Sequence, residues 1–400
     1  MTTPLMLAGL EFSLDTASLD ALETVTRTVT KAQVAEWFDR HRGTEEVALL
    51  STCHRVEILL LVRSLDEVDR WRDVLPGRRS SWRSREGREA VHHLFRVAAG
   101  RESLAIGEGE VRHQVRAAER SILSRHPRPV LRDLFVGAVG TAEEVRPSVP
   151  LSCSIASIAA SRLLDLVGRS DPNVLVVGSG TVGRQVAECL APFARVTLVF
   201  HQRSPEETFL RATGARAVPL ERLGEALASS DAVVTAAKFG NHGLHASELP
   251  RDRPLVLVDL GVPRNVDPGV QELPNVRLID LAELHARTGG SSSMHADDRR
   301  VEELAEKHSD RLERFLLEPW ISDYRRAAEA VRRSELDRAR PYLGALGPDQ
   351  RIAVERLTQR LVARLLSSPT ERIRSLPPGP DGDALRRLAI ELLRLPLADP

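Results

Sequence analysis

The chain has 400 residues, 42% hydrophobic and 28% charged, with 56 Lys+Arg against 56 Asp+Glu; this composition is ordinary for a soluble globular protein of two or three domains. Zero formal net charge excludes a global attraction to nucleic acid, so any RNA contact must use local patches. No apolar run approaches the roughly 20 residues that span a bilayer, no secretory signal is evident at the N-terminus, and Cys53, Cys153 and Cys189 make no disulfide framework, which fits a reducing cytoplasm.

Met6 to Leu10 reads as a strand, and Ser18 to Phe38 carries Leu19, Leu22, Val25, Val29, Val34 and Trp37 at mostly helical spacing. Val47 to Leu50 and Ile58 to Val62 are apolar runs that read as buried elements. Between them, Ser51-Thr52-Cys53-His54-Arg55-Val56-Glu57 places a thiol, an imidazole, a guanidinium and a carboxylate at the edge of a core. Cys53 is a candidate nucleophile, its pKa lowered by His54 or Arg55; the plainer reading is a small buried residue beside solvated charges. Arg70 to Arg88 is Arg-rich, with Trp71 and Trp82 interleaved. It reads either as an RNA-facing patch, Arg on phosphate and Trp stacked on bases, or as a solvated face with two docked aromatics.

Helices are expected over Ala90 to Val97, Glu110 to Leu123 and Leu131 to Val145. Pro147 and Pro150 interrupt regular structure and mark a domain boundary; Ser152 to Val167 is the next helix. Asn173 to Val177 is a buried strand, and Gly178-Ser179-Gly180-Thr181-Val182-Gly183 follows it into the helix Arg184 to Leu190. Strands Val196 to Phe200, Ala232 to Ala236 and Leu255 to Val258 complete an α/β unit with a parallel sheet. Strand, Gly-rich turn, helix and strand is the dinucleotide-binding context: the glycines allow close approach to a pyrophosphate, and the helix start supplies amides. At the end of the second strand stands His201-Gln202-Arg203-Ser204. Arg203 there suits a 2′-phosphate, so NADPH is expected over NADH, with Arg203 and Ser204 as phosphate contacts.

Gly289 to Ser293 is a linker by composition. Arg299 to Arg340 is strongly helical, with a stripe of Val301, Leu304, His308, Leu312 and Phe315. Ile352 to Leu366 and Ala384 to Leu395 are further helices, with Pro377 to Pro380 a loop between them. An all-helical tail reads as an association domain, or as one that packs back on its own chain.

The cysteine cluster resembles the Ser-Thr-Cys-Asn-Arg-x-Glu signature of glutamyl-tRNA reductase. His93-Leu94-Phe95-Arg96-Val97-Ala98, Gly107-Glu108, the Gly-rich turn and Asp259-Leu260-Gly261-Val262-Pro263-Arg264 follow in the family's order, so the resemblance covers roughly residues 5 to 375. It implies an N-terminal α/β catalytic domain (1–147), a Rossmann-type NADPH domain with a preceding spine helix (148–290) and a C-terminal helical dimerisation domain (291–400) of a V-shaped homodimer. The implied reaction is NADPH-dependent reduction of an aminoacyl-tRNA to an amino aldehyde, glutamyl-tRNA to glutamate-1-semialdehyde in tetrapyrrole synthesis, through a thioester on Cys53, with His93 polarising the carbonyl or moving a proton. A downstream aldehyde-consuming enzyme is an expected partner. Carried over as substrate contacts are Thr52, His54, Arg55, Ser103, Glu108, Glu110 and Gln114, with Arg55 as a bidentate partner for a substrate carboxylate.

The departures from the family cluster around the substrate. His54 stands for Asn, Glu110 for a neutral amide, Gly100-Arg101-Glu102-Ser103 for Gly-Leu-Asp-Ser, and Glu11-Phe12 for Asn-His. Glu110 repels a glutamyl side chain unless Arg55 or Arg101 neutralises it. These changes leave room for a paralogue acting on another aminoacyl-tRNA, such as glycyl-tRNA. A non-catalytic NADPH- or tRNA-binding module is opposed by the joint presence of Cys53, His93 and Arg55. A plain dehydrogenase of shikimate-dehydrogenase type leaves the cysteine cluster and the helical tail unexplained.

Overall fold

The computed structural model of the chain describes residues 5–103, 109–127, 129–145, 154–237, 243–288, 296–376, 385, 388–389 and 391–393, without the side chains of 109, 110, 287, 288, 296 and 297. The expected break at Pro147 and Pro150, the linker at 289–293, the loop at 377–380 and half of the last helix lie outside the described residues. No described helix is long and apolar enough to cross a membrane.

The first unit comprises β1 (Met6–Ser13), α1 (Leu19–Thr28), α2 (Lys31–Arg40), β2 (Thr44–Ser51), β3 (Arg55–Val62), α3 (Leu65–Val74), β4 (Arg83–Glu86), α4 (Gly87–Ala98), α5 (Gly109–Glu119), β5 (Leu123–Ser124) and α6 (Val130–Glu144). Its antiparallel sheet runs β4-β1-β3-β2-β5. Side chains alternate along a strand. Val56, Ile58 and Leu60 therefore enter the core under α1, α2 and α3, while Leu59 enters the core under α4, α5 and α6. Arg55 and Glu57 share the parity of Leu59, which places two charges on the α4 side of a strand with both faces covered. Glu11 of β1 lies directly opposite Glu57.

Two expected helices end differently. Ser18 to Phe38 is two helices, because Thr30 caps a new start by accepting from the Gln33 amide at 3.2 Å. The helix expected to reach Leu123 stops at Glu119, and Leu123 instead pairs with Val47 as edge strand β5.

The second unit comprises α7 (Ile155–Val167), β6 (Asn173–Val177), α8 (Thr181–Leu190), β7 (Arg195–Phe200), α9 (Glu207–Thr213), β8 (Arg216–Pro219), α10 (Leu223–Ala228), β9 (Ala232–Thr235), β10 (Leu255–Asp259), β11 (Val276–Ile279) and α11 (Leu281–Thr288). The sheet is parallel and ordered β11-β10-β9-β6-β7-β8. Strand order reverses between β6 and β9, the crevice where such sheets hold a dinucleotide.

Among the described residues the third unit is built chiefly from two long helices, α12 (Ala296–Leu343, 48 residues) and α13 (Pro348–Arg374, 27 residues). The expected spine helix ahead of the nucleotide unit is therefore corrected. The helix there, α7, has 13 residues, ends at Gly168 in the left-handed region and packs on the parallel sheet. The long helix comes after that sheet. The first half of α12 packs back on α4 and α6 through Val301, Ala305 and Leu312, and its second half meets α13 through Leu317, Trp320, Ile321 and Ile373.

Candidate active site

The β2–β3 connection carries the cysteine. Thr52 N–H donates to the Arg55 carbonyl at 2.9 Å, and Leu14 N–H donates to the His54 carbonyl at 3.1 Å, so the loop is pinned from both sides. Cys53 is half-buried, and its Sγ lies 3.4 Å from His54 Nδ1. Beyond the ring, Arg55 Nε donates to His54 Nε2 at 3.1 Å, and Arg55 also donates to the Glu102 carbonyl. Burial, then the Arg55 charge, depresses His54 from 6.5 to about 4, so the ring is neutral near pH 7.

Arg55 connects this loop to a buried carboxylate pair. Its Nη1 donates to Glu57 at 3.3 Å and lies 3.7 Å from Glu11. His93, projecting from α4, places Nε2 at 3.0 Å from Glu57 and 3.8 Å from Glu11. Arg85 of β4 closes the group on Glu11. Burial pushes Glu57 up, but His93 and then Arg55 outweigh it and hold the carboxyl down at about 2. Two carboxylates facing each other across a ladder repel; here the cations on either side turn them into a bridge. A hydrogen-bonded path thus runs from Cys53 through His54, Arg55 and Glu57 to His93.

Glu11, Glu57 and His93 lie close enough to ligate a metal, with ligand atoms within 4.8 Å of one another. The residues do not fit one. Arg55 and Arg85 already neutralise both carboxylates, and a dication would leave net charge in a buried site.

The expected substrate contacts separate. Thr52 and His54 sit in the cysteine loop, and Ser103 follows Glu102, whose carbonyl meets Arg55. Arg55, expected as a bidentate partner for a substrate carboxylate, is 1% exposed and here donates to His54, Glu57 and the Glu102 carbonyl, bracing the loop. Arg101, the other guanidinium available to neutralise Glu110, pairs with Asp298 of α12 at 2.9 Å. Gln114 lies on α5 with a buried Oε1 that has no partner among the described residues. Glu108 and the side chain of Glu110 lie outside the described residues. From the sequence, Glu11 and Glu102 stand out only as departures from the family pattern, Glu57 only as a member of the cysteine cluster, and Arg85 only as part of the Arg-rich segment. The available signal was a charge at an inward position of a strand with otherwise apolar neighbours.

The Arg-rich segment offers no stacking platform. Trp71 and Trp82 are core residues whose indole N–H groups donate to Thr44 Oγ1 at 2.7 Å and to the Pro76 carbonyl at 2.9 Å. Arg70, Arg72, Arg79, Arg85 and Arg88 are ion-paired.

The glycine turn has the form of a nucleotide cradle. Gly178 has φ +117°, and a Cβ there would meet the Ala236 carbonyl at 2.6 Å; a Cβ on Gly183 would lie 1.8 Å from the Gly178 carbonyl. Above Gly180, the N-cap of α8, a Cβ would meet nothing within 4 Å. No side chain caps α8, so its first amides are open to an anion. Ser179 accepts from Arg184 Nε at 3.0 Å through its carbonyl, Thr181 opens α8, and Val182 packs on the sheet. Arg203 and Ser204 are exposed beyond β7. The described residues fit a dinucleotide.

The catalytic and nucleotide units touch beside the cysteine loop. Cys53 and Leu14 pack against the nucleotide unit's core. His285 of α11 bonds Asp15 at 2.9 Å, and Arg264 bonds Glu23 of α1 at 3.0 Å. Asp259, at the end of β10, shapes the loop that presents Arg264. Its carboxylate accepts from Thr235 Oγ1 at 2.7 Å and from the Gly261, Asn265 and Val266 amides at 2.8–2.9 Å.

The chain matches the glutamyl-tRNAGlu reductase N-terminal domain family over residues 10–149, the shikimate / quinate 5-dehydrogenase family over 159–286 and the glutamyl-tRNAGlu reductase dimerisation domain family over 298–395. Similar proteins include glutamyl-tRNA reductase of Rubrobacter xylanophilus, 30% identical over 83% of this chain and 83% of its own. That of Myxococcus xanthus is 32% identical over 88% and 85%, and glutamyl-tRNA reductase 2 of Anaeromyxobacter sp. is 30% identical over 88% of each.

Proposed function

The chain belongs to the glutamyl-tRNA reductase family, and we propose that it is an NADPH-dependent oxidoreductase that converts glutamyl-tRNA to glutamate-1-semialdehyde for tetrapyrrole synthesis. The observation that carries the reading is the continuous path from Cys53 to His93, set against the nucleotide unit.

An ester carbonyl is a poor hydride acceptor, so the chain's own residues first change the leaving group. The Cys53 thiolate attacks the ester carbonyl carbon; the C–S bond forms, the C–O bond to the tRNA breaks, and the 3′-oxygen leaves with a proton. His93, oriented by Glu57, is the proton-transfer group at the other end of the path. Arg55 holds the loop and the carboxylate pair in register. The turn Gly178 to Gly183 would hold the pyrophosphate, and Arg203 with Ser204 would hold a 2′-phosphate. The hydride that would take the thioester to the aldehyde level, with the C–S bond breaking to free the Cys53 thiolate, is the chemistry a bound NADPH would supply. The dimerisation-domain match and the exposed Leu357, Leu361 and Leu365 of α13 support a homodimer.

Cys53→Ser tests the reading. NADPH oxidation with glutamyl-tRNA should fall below detection while NADPH binding is retained; full turnover in this variant, or turnover of the wild type only with a different charged tRNA such as glycyl-tRNA, would overturn it.

A further inference from the structure

Arg55 N–H groups can only donate, and one of them points at His54 Nε2 from 3.1 Å. That nitrogen is therefore the lone-pair side of the ring, and a neutral ring must carry its proton on Nδ1, the atom 3.4 Å from Cys53 Sγ. The 2.9 Å approach of Nε2 to the Glu102 carbonyl brings two acceptors together, with Arg55 supplying hydrogens to both.

We propose that His54 holds Cys53 as a thiolate by donating Nδ1–H to Sγ, in a tautomer that Arg55 selects. The thiol proton goes to solvent water; His54 neither gains nor loses one, and nothing is oxidised or reduced. The alternative role, a base that takes the thiol proton, would place an imidazolium against the Arg55 guanidinium in a site where His54 is 2% exposed. Burial and that neighbouring charge both oppose the charged ring. The groups facing His54 are Arg55 on β3, the Glu102 backbone after α4, and the Asp15–His285 pair. The Glu102 carboxylate itself turns away to Arg96 at 2.7 Å. The donor role suits any side chain with an N–H at this place, so an asparagine can fill it.

This inference rests on Cys53 as the nucleophile, but its test needs neither tRNA nor turnover. The rate of Cys53 alkylation by iodoacetamide is measured against pH in the full chain, by peptide mass spectrometry so that Cys153 and Cys189 do not contribute. His54→Phe should shift the alkylation midpoint alkaline by about one pH unit and slow labelling near neutrality about tenfold. His54→Leu, a second variant without a donor, should do the same, and His54→Asn should stay close to wild type. Circular dichroism and the thermal melt of the full chain check that each variant is folded. An unchanged midpoint in a folded donor-less variant, or an imidazole titration near pH 6 to 7 in the wild-type profile, would overturn the assignment. If the midpoint shifts as expected but Cys53→Ser still turns over, the thiolate assignment stands and the thioester reading fails.

Discussion

Glu57 shows how one side chain ties charge to stability. It is 2% exposed and bonded to His93 and Arg55 at once. Its folded pKa of about 2 lies below the ordinary 4.5. A depressed carboxyl stabilises the fold fully above its unfolded pKa and loses that contribution as pH falls through the folded one. Its share is therefore present above pH 4.5 and lost towards pH 2. Glu57→Gln should flatten the acid arm of the stability–pH curve in that window. At pH 7 it should cost about 3 kcal/mol in denaturant unfolding, the low end of the range for breaking a buried pair. The low end applies because Glu11 remains 3.7 Å from Arg55. A variant as stable as wild type would show that Arg55 is satisfied without Glu57.

At the scale of elements, α4 has two working sides. His93 faces the sheet, while Arg88 and His92 face α12. Arg88 meets Glu306, Asp310 and Glu313, and His92 lies 3.0 Å from Glu306 and against Glu302. These carboxylates recur every three or four residues and so line one face of α12. Burial lowers the Arg88 pKa, but Glu313 and Asp310 more than offset this and leave it above the ordinary arginine value. The carboxylates are partly exposed, so the clasp is weaker than a buried one and sensitive to salt. Arg88→Ala should lower stability by about 1–2 kcal/mol, with the difference from wild type shrinking in high salt. Thermal melts at two ionic strengths measure this; an equal difference at both would place the loss in packing instead. Element α6 is held similarly: the buried Glu46 carboxylate accepts from the Val130 and Leu131 amides at 2.8 Å, capping a helix that Pro129 starts without a side-chain cap.

At the scale of the molecule, the first half of α12 binds its own chain, and α13 leaves Leu357, Leu361 and Leu365 between 51% and 71% exposed. They lie four residues apart along one helical face, an apolar stripe of the kind a second copy covers. Leu361→Glu should convert the dimer to monomer at micromolar concentration in sedimentation velocity. A dimer that survives would move the interface elsewhere on the helical unit. Arg264 and His285 clasp the nucleotide unit to the catalytic one, and Cys53 packs at that junction.

The sequence alone determined the three-unit architecture, the parallel sheet with its glycine turn and the cysteine cluster, because these depend on local periodicity and on spacings of a few residues. The Thr30 cap was equally local and showed how one helical pattern can hide two helices. Tertiary structure decided the rest. Glu11 and Glu57 are 46 positions apart in sequence and meet only through strand register. His93 and Arg85 reach them only after α4 and β4 pack on the sheet. The bonds of Arg55 to His54, Glu57 and the Glu102 carbonyl were hidden, because a sequence does not show which charges are already paired. Whether Trp71 and Trp82 stack on bases or dock in the core stayed open, because a sequence does not show which faces are buried. Pairing and burial are properties of distant segments brought together, and here they turn a cluster of charges into an ordered path between a thiol and an imidazole.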